Sequence, residues 1–105
     1  MVFISGQTAL DARKKIIGGH NLLEQARQAL RSVQAAIEAT GGTLNDIISL
    51  RIYIVNYQPQ NAEAVSIALI EFFSSTNPPA STWIGVSALA VPEFLIEIEA
   101  TAVLD

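Results

Sequence analysis

The sequence has no cysteine and a single histidine in 105 residues. Without cysteine there is no disulfide, zinc knuckle, iron–sulfur cluster or thiol nucleophile. One histidine leaves no histidine-based metal site to assemble within one chain, and neither metal nor cofactor is expected. Charge is also scarce. Charged residues make up 15% of the chain and hydrophobic ones half of it, whereas soluble domains usually carry about 25% charge. A domain this poor in charge struggles to cover its own surface, which points to a chain that buries surface against copies of itself. No apolar run reaches the roughly 18 residues of a membrane span. Residues 1–5 are apolar but too short for a secretion signal, so a single cytoplasmic domain over residues 1–105 with no membrane partner is expected.

Basic residues are missing from half of the chain. Arg13, Lys14, Lys15, Arg27, Arg31 and Arg51 are all of them, so residues 52–105 contain none. The first half holds six bases against four acids and the second six acids alone, which together give the net charge of −4. A basic patch is the usual footprint of a nucleic-acid surface; this balance argues against one. An anionic ligand would have to find its countercharge in the first half, in backbone N–H groups or on another subunit.

What is present reads as alternating elements. Val2-Phe3-Ile4 is a short strand closed by a turn at Ser5-Gly6-Gln7. Residues 8–20 form a loop in which His20 is expected to be exposed and the Arg13-Lys14-Lys15 run reads as solvated or as the lip of a cleft that attracts anions. Asn21 is a helix N-cap with Glu24 three residues on. Leu23, Ala26, Leu30, Val33 and Ile37 make one apolar stripe, with Gln25, Gln28, Arg31 and Gln34 off it, and Gly41-Gly42 ends the helix. Ile48, Leu50, Ile52 and Ile54 alternate with Ser49, Arg51, Tyr53 and Val55 at strand period. Residues 60–75 are a second helix whose stripe of Val65, Ala68, Leu69 and Phe72 is widened by Ile70 and Phe73. Asn77-Pro78-Pro79 stops it. Residues 81–89 and 95–103 are strands.

The order strand–helix–strand–helix–strand–strand predicts an α/β (α+β) fold. It has one mixed sheet with two helices crossing one face. Strand parity then places Ser49, Arg51, Tyr53, Ser81, Trp83, Gly85, Ser87, Glu97 and Glu99 on the open face, where Tyr53 and Trp83 suggest contact with another subunit. Glu97 and Glu99 read either as a polar, subunit-contacting face paired with Arg51 or, for Glu97, as a general base in a cleft. Trp83 reads as a packing residue or as a stacking platform for a ligand. Ser81 and Thr82 cap strand-end backbone or bind water; a nucleophile there lacks a nearby base.

Ser5-Gly6-Gln7 and Gln25-Ala26-Arg27-Gln28-Ala29-Leu30 resemble the RidA family, also called YjgF or L-PSP, some of whose members are named endoribonuclease or translation initiation inhibitor. So do Asp46-Ile47-Ile48, Glu71-Phe72-Phe73, Pro79-Ala80 and Ile96-Glu97-Ile98-Glu99-Ala100. The resemblance implies a chorismate-mutase-like fold assembled as a homotrimeric barrel with three clefts between subunits. The family's best-known activity is hydrolysis of enamine and imine intermediates. There an arginine directly after Pro-Ala binds the substrate carboxylate, a backbone amide of the Ser-Gly-Gln turn assists, and a glutamate handles water.

By this likeness Ser5, Gly6 and Gln7 match the turn and Glu97 the glutamate, whereas Ser81 stands at the arginine position. Ser66 stands where the family has an asparagine, and the chain starts at what corresponds to the family's second strand. Arg51 is the one basic residue expected on the open face. The expected ligand-binding set is therefore Ser5, Gly6, Gln7, Arg51, Tyr53, Ser81, Thr82 and Trp83, with Glu97 the catalytic candidate. Three functions follow from this set: a trimer binding a small metabolite without standard deaminase activity, an imine hydrolase on an altered substrate using Glu97, and, disfavoured by charge, a nuclease.

Overall fold

In the computed structural model, which describes residues 1–74 and 77–104, the first helix, α1, spans Leu22–Ala39. Asn21 Oδ1 accepts the backbone N–H of Glu24 at 2.9 Å and so satisfies one of the donors a helix leaves open. Ala26, Ala29, Leu30, Val33 and Ile37 are buried. At its end Gly41 takes φ 92°, left-handed backbone that glycine adopts without strain, and the Gly42 N–H returns to the Ile37 carbonyl.

Four strands meet this helix. β1 (Val2–Gln7), β2 (Ile47–Val55), β3 (Ala80–Val86) and β4 (Ile96–Ala102) form one sheet in the order β1-β4-β2-β3. β2 and β3 are parallel, joined through α2 (Ala62–Phe72), and the other pairs are antiparallel. A parallel pair needs such a crossover because a hairpin cannot reverse direction twice. Ile4, Leu50, Ile52, Ile54, Ile96 and Ile98 pack with Leu30, Val33 and Ile37 of α1 and Val65 and Ala68 of α2 in a single core. Burial of each large aliphatic side chain is worth roughly 1.5–3 kcal/mol. Both helices lie on one face of the mixed sheet. Among the described residues no helix is long and apolar enough to cross a membrane.

Ile48, expected on the apolar stripe with Leu50, Ile52 and Ile54, is 49% exposed, because the register of β2 against β4 shifts between Ile47 and Ser49 and Ile47 is buried instead. Beyond this, the structure differs from the sequence expectation in four places. Ser5-Gly6-Gln7 is not a turn: β1 runs through it, pairing Ile4 with Ala100 and Gln7 with Ile98, so one extra residue bulges out of the ladder. α2 starts at Ala62, after a 3-10 turn over Pro59–Asn61, and ends at Phe72; Ser75, the expected end, lies outside the described residues. Gln25, expected off the buried stripe, has no exposure at all.

The fourth difference changes the site. Parallel pairing sets Ser81 beside Leu50, Trp83 beside Ile52 and Gly85 beside Ile54. Those partners are core residues, so Ser81, Trp83 and Gly85 sit on the helix-covered face. Thr82 and Ile84 take the open face beside Arg51 and Tyr53, and Ser87 lies beyond the strand. The alternation of Ala80–Val86 is ambiguous because Trp83 and Ile84 are adjacent and both apolar, and parity alone cannot choose between two such faces.

Candidate functional site

The open face is built by the pairing of β4 with β2. That register places Glu99 opposite Arg51 and Glu97 opposite Tyr53. Arg51 Nε donates to Glu99 Oε1 at 3.1 Å, with longer contacts of its Nη atoms to Ser49 Oγ and Thr101 Oγ1 at 3.5 and 3.4 Å. Tyr53 Oη donates to the same Glu99 oxygen at 2.6 Å. The hydrogen bond from Tyr53, reinforced by Arg51, holds the Glu99 carboxyl below the usual carboxylate range. The same bond raises the Tyr53 phenol above its ordinary value, because losing the proton would place two anions together. This network commits Glu99 and Arg51 to each other.

Glu97 is different. Among the described residues no side chain donates to it or pairs with it. Its carboxylate lies over Gly6: a Cβ built on Gly6 would come within 2.4 Å of Glu97 Cδ and Oε2. The glycine at the β1 bulge is what gives this carboxylate room. Ser5 is exposed, and Gln7 Nε2 turns back onto the Ser5 carbonyl at 3.1 Å. The expected pair of Glu97 and Gly6 is thus brought together, and Arg51, Tyr53 and Thr82 share their face.

Ser81 and Trp83 are not on that face. Trp83 packs against the core and meets Tyr57 edge-on, with ring centroids 6.5 Å apart; its indole N–H donates to Ser81 Oγ at 3.2 Å. Ser81 lies at the mouth of a groove of about 350 Å³ beneath the end of α2, lined by Leu50, Leu69, Ile70, Phe73, Pro78 and Pro79 among others. Sequence reading did not single out the apolar groove residues. Their signal was present in the helix stripe, which Ile70 and Phe73 make wider than one packing face needs; Ile70 is 73% exposed.

His20 and the Arg13-Lys14-Lys15 run are exposed, as expected. Lys14 and Arg31 line a second groove, of about 640 Å³, between the loop after β1 and α1. Among the described residues no group of three or more histidine or acidic side chains is placed to hold a metal ion.

Comparison with known proteins agrees with this architecture. Residues 1–104 match the family model described as Endoribonuclease L-PSP. A protein of Dermatophagoides farinae named 2-iminobutanoate/2-iminopropanoate deaminase is 30% identical over 104 residues, 99% of this chain and 78% of its own. The crystal structure of YyfB from Yersinia pestis, described as a protein of unknown function of the conserved Rid family, is 42% identical with a TM-score of 0.93. The match covers 98% of this chain and 77% of that one. E. coli TdcF, solved with bound serine, is 26% identical with a TM-score of 0.84, over 98% of this chain and 80% of that one. With its two helices on one four-stranded mixed sheet and this match from end to end, the chain belongs to the endoribonuclease L-PSP family, the RidA/YjgF family of imine deaminases and Rid proteins.

Proposed function

We propose that the chain works as a homotrimer that binds a small metabolite in clefts between subunits, without the standard enamine deaminase activity. The observation that carries this reading is the division of the site. Gly6, Glu97 and Thr82 lie on one face of the sheet, Ser81 and the groove beneath α2 on the other. Side chains on opposite faces of one sheet point apart, so one ligand meets both sets where the open face of one copy adjoins the groove of the next. A contact between two different patches is heterologous, and it closes into a ring where its rotation is a third of a turn, as a trimer requires. Phe3, Ile48 and Ile70 are large apolar side chains left 73%, 49% and 73% exposed in the single chain; burial against neighbours accounts for them and for the low charge.

Loss of deaminase activity follows from Ser81. A serine hydroxyl cannot replace the permanent planar cation that a carboxylate substrate needs. Arg51, the one basic residue of the open face, is bound to Glu99. The protein should sediment at three times its 11.3 kDa chain mass and give no turnover of 2-iminopropanoate above the uncatalysed rate. A monomer, or turnover of 2-iminopropanoate above the uncatalysed rate, would overturn this reading.

The half-buried Glu97 carboxylate over Gly6 favours a second reading, an imine hydrolase acting on an altered substrate with Glu97 taking a proton from water. It requires that any turnover found be lost in Glu97→Gln.

A further inference from the structure

The two halves of this site carry different chemistry, and together they define a ligand. The groove beneath α2 is walled by Leu50, Leu69, Ile70, Phe73 and prolines, with hydroxyls at its rim, and among the described residues no charged side chain lines it. Its volume of about 350 Å³ falls at the small end of the usual ligand-site range of about 300–1,000 Å³. On the open face Arg51 is taken up by Glu99, which leaves Glu97 as the uncompensated charge. The other cations lie elsewhere. Arg27 is bound to Glu24 and Glu71 between the helices, while Lys14 and Arg31 line the groove by α1, which also reaches Gly6 and Gln7, and neither is within ion-pair distance of Glu97.

The two halves themselves therefore offer one unpaired carboxylate, an apolar wall and no unpaired cation. An anionic group would be desolvated there without a partner, which is costly. A cationic nitrogen would gain a charge-assisted hydrogen bond to Glu97. We propose that the site takes a small organic cation, a protonated amine on a branched apolar body, rather than an amino or imino acid. This rests on the composite intersubunit site argued above.

The test uses the intact oligomer and three ligands of one shape: isoamylamine, isoamyl alcohol and isovalerate, titrated at neutral pH by calorimetry or by NMR shift perturbation. The amine should bind roughly tenfold to a hundredfold more tightly than the alcohol, the range of one hydrogen bond to a charged group, and isovalerate weakest of all. Glu97→Gln should bring the amine down to the level of the alcohol. Ser81→Arg should invert the order in favour of isovalerate. If isovalerate binds wild type as well as the amine does, and Ser81→Phe blocks it, the ligand class is wrong while the composite site stands. An amine preference that survives Glu97→Gln also refutes the class. If none of the three binds wild type, the composite site falls with it.

Discussion

Gln25 shows how much a single side chain can hold together. It is fully buried, and its amide joins two loop segments through three hydrogen bonds: Nε2 donates to the Gly19 carbonyl at 2.7 Å and to the Glu93 carbonyl at 2.9 Å, and Oε1 accepts the Leu95 N–H at 2.9 Å. A buried polar group left unpaired costs about 1–3 kcal/mol. Gln25→Leu keeps a similar volume but abandons two carbonyls and one N–H, so it should cost roughly 2–4 kcal/mol and lower the melting temperature by more than about 10 °C.

Glu99 is a second residue with a measurable signature. Its folded-state pKa lies below the ordinary value of 4.5, because Tyr53 and Arg51 stabilise the carboxylate. The stability it contributes is present above the unfolded value and lost as pH falls through the folded one. The stability gap between wild type and Glu99→Gln should hold from pH 7 to about 5 and close in more acidic solution. A gap that widens on acidification would contradict the network. At the other end of the scale, the raised Tyr53 phenol contributes below its unfolded value of 10.0, and that contribution is lost as pH climbs above it. Of these residues the sequence exposed Glu97, Glu99, Arg51 and Tyr53, because alternation fixes partners across a strand pair. It did not expose the burial of Gln25, because helix periodicity reports the helix's own packing face and is blind to loops folding over its flank.

At the scale of elements, legibility followed the clarity of the apolar pattern. α1 has one stripe and two terminal signals, and its bounds were readable from Asn21 to Gly41. From Ser49 onward β2 alternates cleanly against β4, and their register joins the residues that parity had put on one face; only Ile48, at the shift beside Ile47, leaves the expected stripe. β1 and β3 are edge strands, where one ladder rather than two constrains the chain. There the reading failed, at the bulge beside Gly6 and at the face of Ser81 and Trp83. The assignment of β3 can be checked from Gly85. A Cβ at that position would lie 3.2 Å from Tyr57 Cβ, tighter than a relaxed contact. Tyr57 follows Asn56, whose φ of 50° leaves the backbone little freedom to retreat. Gly85→Val should therefore overpack the contact and cost roughly 1–3 kcal/mol. It should also pry Tyr57 from Trp83 and shift the emission of the single tryptophan to the red. Were Gly85 on the open face instead, the valine would touch neither ring and the emission would not move.

For the whole molecule, the low charge and the divided site are two consequences of one arrangement. A chain with an uncovered sheet face on one side and an apolar groove on the other has surfaces that a neighbour can fill and water cannot. Composition alone exposes the first half of that statement; the second needs the parallel register of β3, which no pattern in Ala80–Val86 supplies. The arrangement has a test that separates it from a site contained in one chain. Glu97→Gln removes the carboxylate from every site of its own oligomer, and Ser81→Phe fills every groove of its own. The first homo-oligomer should bind isoamylamine only as weakly as the alcohol, and the second should not bind it. If the two variants are unfolded together and refolded as a mixture, a composite site pairs an intact carboxylate from one subunit with an intact groove from the next in about a quarter of the clefts, by random assortment around the ring. Binding should then return with the affinity of wild type and about one quarter of its stoichiometry. A site that draws both halves from the same chain has no such recourse, since every chain in the mixture carries one of the two lesions, and its titration would show no phase of wild-type affinity.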